Sequence, residues 1–229
     1  MCDTDISVII VAGGSGTRMG GDVPKQFLPL AGKPILVHTV ERFAGALPSA
    51  RIITVLPASQ MERWRAMAAE WGLAGRITLC EGGENRFSSV KRGLALVDGR
   101  CRIVAVHDGV RPLVSRRTIA ASIDAARREG AAIPVVAAVD SFREVTAGGS
   151  HPVDRERLRA VQTPQVFRAD LLRSAYETEF DPAFTDDASV VERLGVRVAL
   201  VEGDRANVKI TTPADLAVAG ALLAADGRE

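Results

Sequence analysis

Residues 8–27, VIIVAGGSGTRMGGDVPKQF, decide the fold class of this 229-residue chain. The first four residues of this stretch are valine and isoleucine, as in a strand that is buried on both faces of a parallel sheet. The strand breaks directly into glycines, and a glycine-rich loop after a strand commonly presents backbone N–H groups to phosphate. The stretch therefore predicts a buried strand followed by a loop that binds an anion.

Strand and helix patterns alternate along most of the chain. Besides residues 8–12, apolar β-rich runs occur at 51–56, 76–80, 102–107, 132–139 and 196–201. Apolar residues recur at helical spacing in 34–46, 59–71, 88–97, 115–129, 168–176, 186–194 and 213–224. This alternation predicts one α/β domain over residues 1–229, with a Rossmann-like, mostly parallel sheet and helices on both of its faces.

Residues 141–167, SFREVTAGGSHPVDRERLRAVQTPQVF, interrupt this alternation. A GGS turn stands between two short, polar, alternating runs, which is typical of a β-hairpin, although a surface loop would show similar spacing. We expect a hairpin arm over residues 141–163 that projects from the sheet. A projecting arm commonly needs a partner to cover it, so the arm favours a homodimer.

The charge of the chain is nearly balanced, with 29 basic and 28 acidic residues. A general binding surface for nucleic acid or for an anionic membrane is therefore disfavoured, and a bound anion must be held by a local cluster of cations. No apolar run approaches the length of a transmembrane helix. Cys2, Cys80 and Cys101 form no CxxC pair, and residues 1–10 lack the basic start of a signal peptide, so we expect a cytoplasmic protein.

The spacing of the glycine-rich loop disfavours two common phosphate-binding motifs. A Walker motif needs lysine and then serine or threonine after its second glycine, whereas Asp22 and Val23 follow Gly21. A dinucleotide-binding fingerprint needs a third glycine at the position where this chain has Met19.

What remains is a loop of bare backbone with two cations beside it. Gly13, Gly14 and Gly16 leave their N–H groups open to close approach by oxygen atoms, and the cations are Arg18 and Lys25. Such cations suit a triphosphate that is attacked at its α-phosphate, because the transition state gathers negative charge at phosphorus. The loop therefore indicates nucleotidyl transfer.

The loop and the segment after it, GGSGTRMG followed by PKQF, resemble the signature of sugar-phosphate nucleotidyltransferases. Five further motifs follow in order: GGENRFSSV at 82–90, VHDGVRP at 106–112, VQTPQVF at 161–167, FTDDASVVE at 184–192 and VEGDRANVKITTPADL at 201–216. Together they resemble the 2-C-methyl-D-erythritol 4-phosphate cytidylyltransferases of the non-mevalonate isoprenoid pathway. The resemblance runs from residue 8 to about residue 223, and it implies a single nucleotidyltransferase domain.

The resemblance implies that CTP and methylerythritol 4-phosphate react to give CDP-methylerythritol and pyrophosphate. The sugar phosphate would attack the α-phosphorus of CTP without a covalent enzyme intermediate, and Mg²⁺ would be bound through the CTP phosphates. Because the attacking phosphate is already an anion, no base is needed, and we expect His107 to be a packed strand residue. The implied partners are CTP, a sugar-alcohol phosphate and a second subunit that exchanges arms with the first, with no nucleic acid and no membrane.

The resemblance also implies roles for individual residues. The implied catalytic residues are Arg18, Lys25 and Lys209. The implied nucleotide-binding residues are Ala12, Gly13, Gly14, Ser15, Gly16, Gly83, Glu84, Ser89 and Gly109. The implied substrate-binding residues are Asp108, Arg111, Ser141, Arg155, Thr163 and Thr185.

Several of these positions carry further expectations. Arg155 would reach the substrate phosphate from the partner subunit, and Arg86 would orient the turn at 82–90. Either Thr185 or Asp186 would cap the helix that begins beside them. The family often has aspartate, alanine and threonine where this chain has Glu84, Gly109 and Ser141.

Two alternatives stay open at this point. Ribitol-5-phosphate cytidylyltransferases share the loop and the KQFLPL and TPQ motifs, whereas FTDDASVVE and the spacing of Ser141 and Arg155 favour methylerythritol phosphate. The other alternative is a non-catalytic nucleotide-binding protein on the same scaffold. The cations Lys25, Arg111 and Lys209, together with Arg18, argue against it.

Overall fold

The computed structural model describes residues 3–14 and 23–226 of the chain. Its strands are β1 (Ile6–Val11), β2 (Pro29–Leu30), β3 (Lys33–Pro34), β4 (Arg51–Leu56), β5 (Ile77–Glu81), β6 (Ile103–Asp108), β7 (Ala131–Ala137), β8 (Phe142–Thr146), β9 (Gly149–Val153), β10 (Arg159–Val161), β11 (Gln165–Arg168) and β12 (Ala199–Glu202). Its α-helices are α1 (Ile35–Ala46), α2 (Ala58–Glu70), α3 (Arg86–Ala95), α4 (Arg116–Glu129), α5 (Ala169–Ala175), α6 (Asp187–Glu192) and α7 (Pro213–Asp226). Short 3₁₀ helices lie at Lys25–Phe27, Ala74–Arg76 and Arg155–Arg157. None of the helices in these described ranges is both long enough and apolar enough to cross a membrane.

The main sheet is mostly parallel and has the strand order β10-β7-β11-β6-β1-β4-β5, with β12 paired to β7. β1 lies parallel to both β4 and β6, and β4 lies parallel to β5. β11 runs antiparallel between β6 and β7, and β10 runs antiparallel to β7. The predicted α/β sheet is confirmed. The sequence did not predict β10 and β11, because the short runs on either side of Pro164 are too brief to show a period of two.

β1 separates two hydrophobic clusters, because its side chains point alternately to the two faces of the sheet. Val8 and Ile10 belong to one cluster, which includes Phe43 of α1, Trp64 of α2 and residues of α4. Ile9 belongs to the other cluster, with residues of α3, α5 and α6. Helices therefore cover both faces, as predicted, and this explains why β1 is apolar without interruption.

β8 and β9 form the predicted hairpin arm. They pair antiparallel with one another along their whole length, in a sheet separate from the main one. Phe142 is 44% exposed and Val145 is 82% exposed, so the arm presents apolar side chains to solvent. Within the predicted span 141–163, β10 already belongs to the main sheet.

Gly93 allows α3 to lie close to the main sheet, and this contact gives a prediction about stability. A Cβ atom at Gly93 would lie 2.9 Å from Ile9 Cγ2 and 3.0 Å from Val55 Cγ2, which are methyl groups of stiff β-branched side chains. We expect Gly93→Ala to lower the free energy of unfolding by roughly 1–3 kcal/mol, because overpacking outweighs the gain in helix propensity. Urea unfolding measures the change.

Gly45→Ala in α1 is the matched control for this substitution. A Cβ atom at Gly45 would meet the flexible end of Arg116, at 3.3 Å, and that side chain can move aside. This variant should keep its free energy of unfolding or gain up to about 1 kcal/mol. Equal losses in the two variants would contradict the overpacking argument.

Candidate functional site

The predicted site begins where the carboxyl ends of β1 and β6 lie side by side. Val11 and Asp108 are paired at the ends of these strands, and Gly109 N–H donates to Val11 O at 2.8 Å. Ala12 and Gly13 therefore leave β1 beside the Asp108 carboxylate. Ligands of open α/β sheets commonly bind at this edge, outside the carboxyl ends of the strands.

Two cavities adjoin at these strand ends. The first has a volume of about 230 Å³, and the predicted residues that line it include Ala12, Gly13, Gly14, Lys25, Gly83, Glu84 and Ser89. The second has a volume of about 270 Å³, and the predicted residues that line it include Asp108, Arg111, Thr163 and Thr185. Arg86, Asp108 and Lys209 line both cavities. The structure thus brings the two predicted sets of residues to adjoining spaces that share one charged boundary.

A larger cleft of about 720 Å³ lies between the start of α4 and the strands β7 and β12. None of the predicted site residues in the described ranges lines this cleft. We therefore place the candidate site at the two smaller cavities, where the predicted residues and the strand ends coincide.

Asp108 stands at the boundary between the two cavities. Its Oδ2 accepts a hydrogen bond from Arg111 Nε at 3.1 Å and lies 3.1 Å from Lys209 Nζ, while its Oδ1 lies 3.9 Å from Arg86 Nε. Burial by itself raises the pKa of Asp108, but the charges of Lys209, Arg86 and Arg111 outweigh it and hold that pKa well below its usual range. The carboxylate predicted to bind substrate hydroxyls thus already faces three cations, and their excess positive charge favours an anionic ligand.

Lys25 lies against the start of the glycine-rich loop. A Cβ atom at Gly14 would lie 3.1 Å from Lys25 Cε and 3.5 Å from its Nζ, so the lysine side chain crosses bare backbone there. The buried Gln26 holds this arrangement, because its Nε2 donates to Ala12 O at 2.8 Å and also contacts Gln60 Oε1. The sequence analysis identified Lys25 but not Gln26, although Gln26 belongs to the same PKQF motif.

The turn at residues 82–89 forms one wall of the first cavity. Ser89 Oγ accepts from Gly83 N–H at 3.1 Å and donates to Asn85 O at 2.8 Å. Asn85 caps α3, since its side chain accepts from Ser88 N–H at 2.8 Å. A Cβ atom at Gly83 would fall 2.3 Å from Ser88 Cβ, so glycine is required there. The Ser89 hydroxyl therefore shapes the turn, and Gly83 presents backbone to the cavity.

Arg86 ties this turn to α6. Its two terminal nitrogens donate to the fully buried carboxylate of Asp187 at 2.9 and 2.6 Å, and Tyr176 Oη donates to the same carboxylate at 2.6 Å. Burial lowers the pKa of Arg86, but the Asp187 charge outweighs it and raises that pKa, so Arg86 remains a cation. Asp186, not Thr185, caps α6. The expectation that Arg86 orients the turn at 82–90 fits this geometry, while its partner Asp187 was not foreseen.

His107 is buried in β6 and has both ring nitrogens engaged. Its Nε2 lies 3.1 Å from Arg111 O and must donate to it, so the neutral ring leaves Nδ1 to accept from Thr163 Oγ1 at 3.0 Å. The Thr163 hydroxyl in turn accepts from Asp108 N–H at 3.1 Å. Burial lowers the pKa of His107 to about 4, so the ring is neutral at pH 7. His107 is therefore a packed strand residue, as expected. The Thr163 hydroxyl makes its hydrogen bonds within the protein, to His107 Nδ1 and to Asp108 N–H.

Three predicted residues in the described ranges line neither cavity. Gly109 is packed beneath the loop, since a Cβ atom there would lie 2.9 Å from Ala12 Cβ. Ser141, directly before β8, and Arg155, shortly after β9, are exposed at the open end of the hairpin, and one terminal nitrogen of Arg155 donates to Val139 O at 3.0 Å. Gly109 thus serves packing at this site, and Ser141 and Arg155 stay outside it within one chain.

The remaining predicted residues lie outside the described residues. They are Ser15, Gly16 and Arg18. Their roles in binding the nucleotide and its phosphates stay predictions.

Comparison of this sequence with a family model and with curated proteins gives the same family name each time. A family model described as 2-C-methyl-D-erythritol 4-phosphate cytidylyltransferase matches residues 6–225. A curated protein of that name from Bacteroides fragilis is 53% identical over 223 residues, which cover 97% of this chain and 100% of the relative. One from Phocaeicola vulgatus is 52% identical over 216 residues, which cover 94% of this chain and 98% of the relative.

Solved structures show the same likeness. The crystal structure of 2-C-methyl-D-erythritol 4-phosphate cytidylyltransferase from Thermus thermophilus superposes with a TM-score of 0.74 at 35% identity, covering 94% of this chain and 97% of the other. The crystal structure of 4-diphosphocytidyl-2C-methyl-D-erythritol synthase from Anaerococcus prevotii superposes with a TM-score of 0.81 at 28% identity, covering 96% and 98%.

The ion pair between Arg86 and Asp187 leads to a second prediction about stability. We expect Asp187→Asn to lower the free energy of unfolding by roughly 2–4 kcal/mol, because Arg86 would keep its charge after losing its buried partner. The loss is smaller than for a fully enclosed pair, since the Arg86 side chain is 31% exposed. Urea unfolding measures it.

Glu202→Gln is the matched control, because it removes one partner of a surface ion pair. Arg117 and Glu202 are 82% and 81% exposed, so the loss should stay below about 1 kcal/mol. Similar losses in the two variants would show that burial of the Asp187 carboxylate is not what makes the pair important.

Proposed function

The chain belongs to the family of 2-C-methyl-D-erythritol 4-phosphate cytidylyltransferases, and on that premise we propose how its two adjoining cavities carry out the reaction. It is a nucleotidyltransferase of isoprenoid biosynthesis, as the resemblance predicted. CTP and methylerythritol 4-phosphate are joined to give CDP-methylerythritol and pyrophosphate. The curated relatives reported above carry the methylerythritol name, so the ribitol alternative is not favoured.

We propose that CTP occupies the first cavity and methylerythritol phosphate the second. The first cavity offers backbone at Gly13, Gly14 and Gly83, and such a close backbone suits a pyrimidine rather than a larger purine. The second offers the charge of Arg111 and lies next to Thr185. The observation that supports this division most is that Arg86, Asp108 and Lys209 line both cavities, so the same cations face both phosphates.

In the proposed mechanism, an oxygen of the sugar phosphate attacks the α-phosphorus of CTP. A new P–O bond forms, the bond from the α-phosphorus to the bridging oxygen breaks, and pyrophosphate leaves with that electron pair. The attacking oxygen is already negative, so no proton has to be removed. Lys25 and Lys209, together with Arg18, supply fixed positive charge where negative charge gathers in the transition state.

Mg²⁺ would enter this site on the CTP phosphates rather than in a cage of protein ligands. Asp108, the carboxylate at the boundary of the two cavities, is engaged by Arg111 and Lys209. The residues described here include no group of three or more His, Cys, Asp or Glu side chains that could hold a metal ion. Gly13, Gly14 and Lys25 line the first cavity and would hold the CTP phosphates that carry Mg²⁺, which would neutralise part of the phosphate charge.

We further propose a homodimer in which each arm reaches the partner subunit. The exposed Phe142 and Val145 support a covered arm, because apolar side chains of this size favour burial. Arg155, just beyond the arm, lies outside both cavities of its own chain and would complete the second cavity of the partner. Ser141 precedes Phe142, which pairs with Val153, so it stands at the same end of the hairpin as Arg155 and would accompany it.

The cytoplasmic location expected from the sequence stays a prediction. Cys80 and Cys101 are buried free thiols, which fits a reducing compartment.

The proposed roles of the two lysines are tested by substitution. We expect Lys25→Ala and Lys209→Ala each to lower kcat by roughly 30- to 1,000-fold, equivalent to about 2–4 kcal/mol, because each removes a cation from the transition state. A coupled assay that monitors pyrophosphate release from CTP and methylerythritol phosphate measures the loss in kcat.

Lys91→Ala is the control, since Lys91 lies on the exposed side of α3 and bonds to Thr178 O. It should keep normal turnover. The same assay with ribitol 5-phosphate and with CTP alone checks the substrate. Near-normal turnover in Lys25→Ala or Lys209→Ala would remove that lysine from the mechanism, and faster reaction of ribitol phosphate would overturn the choice of sugar.

Arm exchange makes a separate prediction about mixed dimers. Arg155→Ala and Lys209→Ala should each be impaired when pure, whereas subunits of the two variants mixed and allowed to exchange should regain about a quarter of wild-type activity. The reason is that each mixed dimer has one site with an intact Lys209 from one chain and an intact Arg155 from the other. Random exchange makes half of the dimers mixed.

Mixing each variant with itself under the same exchange conditions is the control. Activity of the mixture at the mean of the two pure variants would mean that Arg155 does not act across the dimer.

A further inference from the structure

Lys209 lies in an irregular segment, residues 203–210, between β12 and α7. A segment of this kind is mobile unless side chains hold it in place. A cation that stabilises a transition state must nevertheless be placed accurately, because a misplacement of about 1 Å can cost on the order of 100-fold in rate. Lys209 Nζ lies 3.1 Å from Asp108 Oδ2, and the buried Ile210 donates its N–H to Val110 O at 2.9 Å, but the turn that leads to Lys209 also needs a contact that holds it in place.

Asn207 makes such a contact two residues before Lys209. It is fully buried, and its Nδ2 donates to Thr163 O at 2.8 Å and approaches Gln162 Oε1 at 3.4 Å. Its own backbone O accepts from a terminal nitrogen of Arg111 at 2.8 Å. Asn207 therefore joins the segment that carries Lys209 to the connection between β10 and β11 and to the residue that pairs with Asp108.

Gln162 holds the beginning of the same segment. Its Nε2 donates to Asp204 O at 2.7 Å, and its Oε1 accepts from Asp204 N–H at 3.1 Å. A Cβ atom at Gly203 would lie 2.6 Å from Gln162 Oε1, so glycine is needed for this close approach. Gln162 and Asn207 thus fix both ends of the turn 203–207.

The orientation of the Asn207 amide follows from its neighbours. Thr163 O is an acceptor, and Gln162 Oε1 is fixed as an acceptor by Asp204 N–H, so Nδ2 of Asn207 must face both. Asn207 Oδ1 is buried without a hydrogen-bond partner among the residues that the structure describes. Both contacts of Nδ2 are therefore directed at the connection between β10 and β11, which fixes the segment of Lys209 against that connection.

We propose that Asn207, supported by Gln162, is a positioning residue for cytidylyl transfer, which sets the place of Lys209 beside Asp108 and Arg111. The proposal rests on the catalytic role proposed above for Lys209. Asn207 itself lines neither cavity, so it acts through Lys209 and not on the substrates.

A double-variant cycle in the complete enzyme tests this role. Asn207→Ala removes the amide, and we expect kcat to fall roughly 10- to 100-fold. In the Lys209→Ala background, the same substitution should lower kcat by less than about 2-fold, because the group that it positions is already absent. A purely structural role would instead lower kcat by the same factor in both backgrounds.

Gln162→Met keeps the volume of the side chain but removes the amide, and it provides a second route if Asn207→Ala does not fold. Gln162→Met should likewise lower kcat in the wild-type background, and this loss should be absent when the substitution is made in the Lys209→Ala background. Ser122→Ala is the matched control, since Ser122 is also buried with an unpaired polar atom among the described residues but lies in α4. It should keep normal kcat.

Asn207→Ala could lower kcat by the same factor in the wild-type and Lys209→Ala backgrounds, while Lys209→Ala is itself impaired. That result would overturn the positioning role and leave the role of Lys209 intact. Normal kcat in Asn207→Ala would overturn it as well. Normal kcat in Lys209→Ala would instead overturn the proposed catalytic role of Lys209, and the positioning role would fall with it.

Discussion

The site depends on the burial of one negative charge, the Asp108 carboxylate, at the end of β6 in the middle of the sheet. A buried carboxylate is unfavourable unless cations and donors surround it. Arg111 comes from the segment after β6, Lys209 from the segment before α7, and Arg86 from the start of α3. Three parts of the chain that are distant in sequence therefore converge on one carboxylate, and their convergence creates the boundary at which the two cavities meet.

Further buried polar contacts extend outward from this charge. Arg86 is shared with Asp187, which also accepts a hydrogen bond from Tyr176, so α3 and α6 are held together beside the boundary. On the opposite side, Asn207 and Gln162 hold the segment of Lys209 against the connection between β10 and β11. The cations are thus fixed by polar networks, whereas the sheet that carries them is held by apolar clusters on its two faces. Placement of the cations therefore depends mainly on polar networks, and the Arg86–Asp187 pair of these networks also contributes to the stability of the fold.

The sequence predicted the sheet because burial on both faces leaves a local pattern, such as the uninterrupted apolar run of β1. It also predicted most residues that line the two cavities in the described ranges, since the resemblance extends over short motifs around Lys25, Asp108 and Lys209. It missed Asp187 as the partner of Arg86, 101 residues away, and Asn207 as the partner of Thr163, 44 residues away. A local pattern reports which face of an element is buried, but it does not report which distant side chain completes a hydrogen bond. For the same reason the sequence did not reveal that Gly109 packs against Ala12, while its contact with the nucleotide stays a prediction.

The engagement of His107 has a consequence for the fate of CTP. Water that entered in place of the sugar phosphate would have to lose a proton in order to attack, and it would need a base to receive that proton. Both nitrogens of His107 are engaged, and the low pKa of Asp108 makes its carboxylate a weak base. Neither residue can activate water, while an attacking phosphate needs no activation. The cations at the boundary of the two cavities would thus assist the attack of a phosphate, while neither His107 nor Asp108 offers a hydrolytic water the base that it needs.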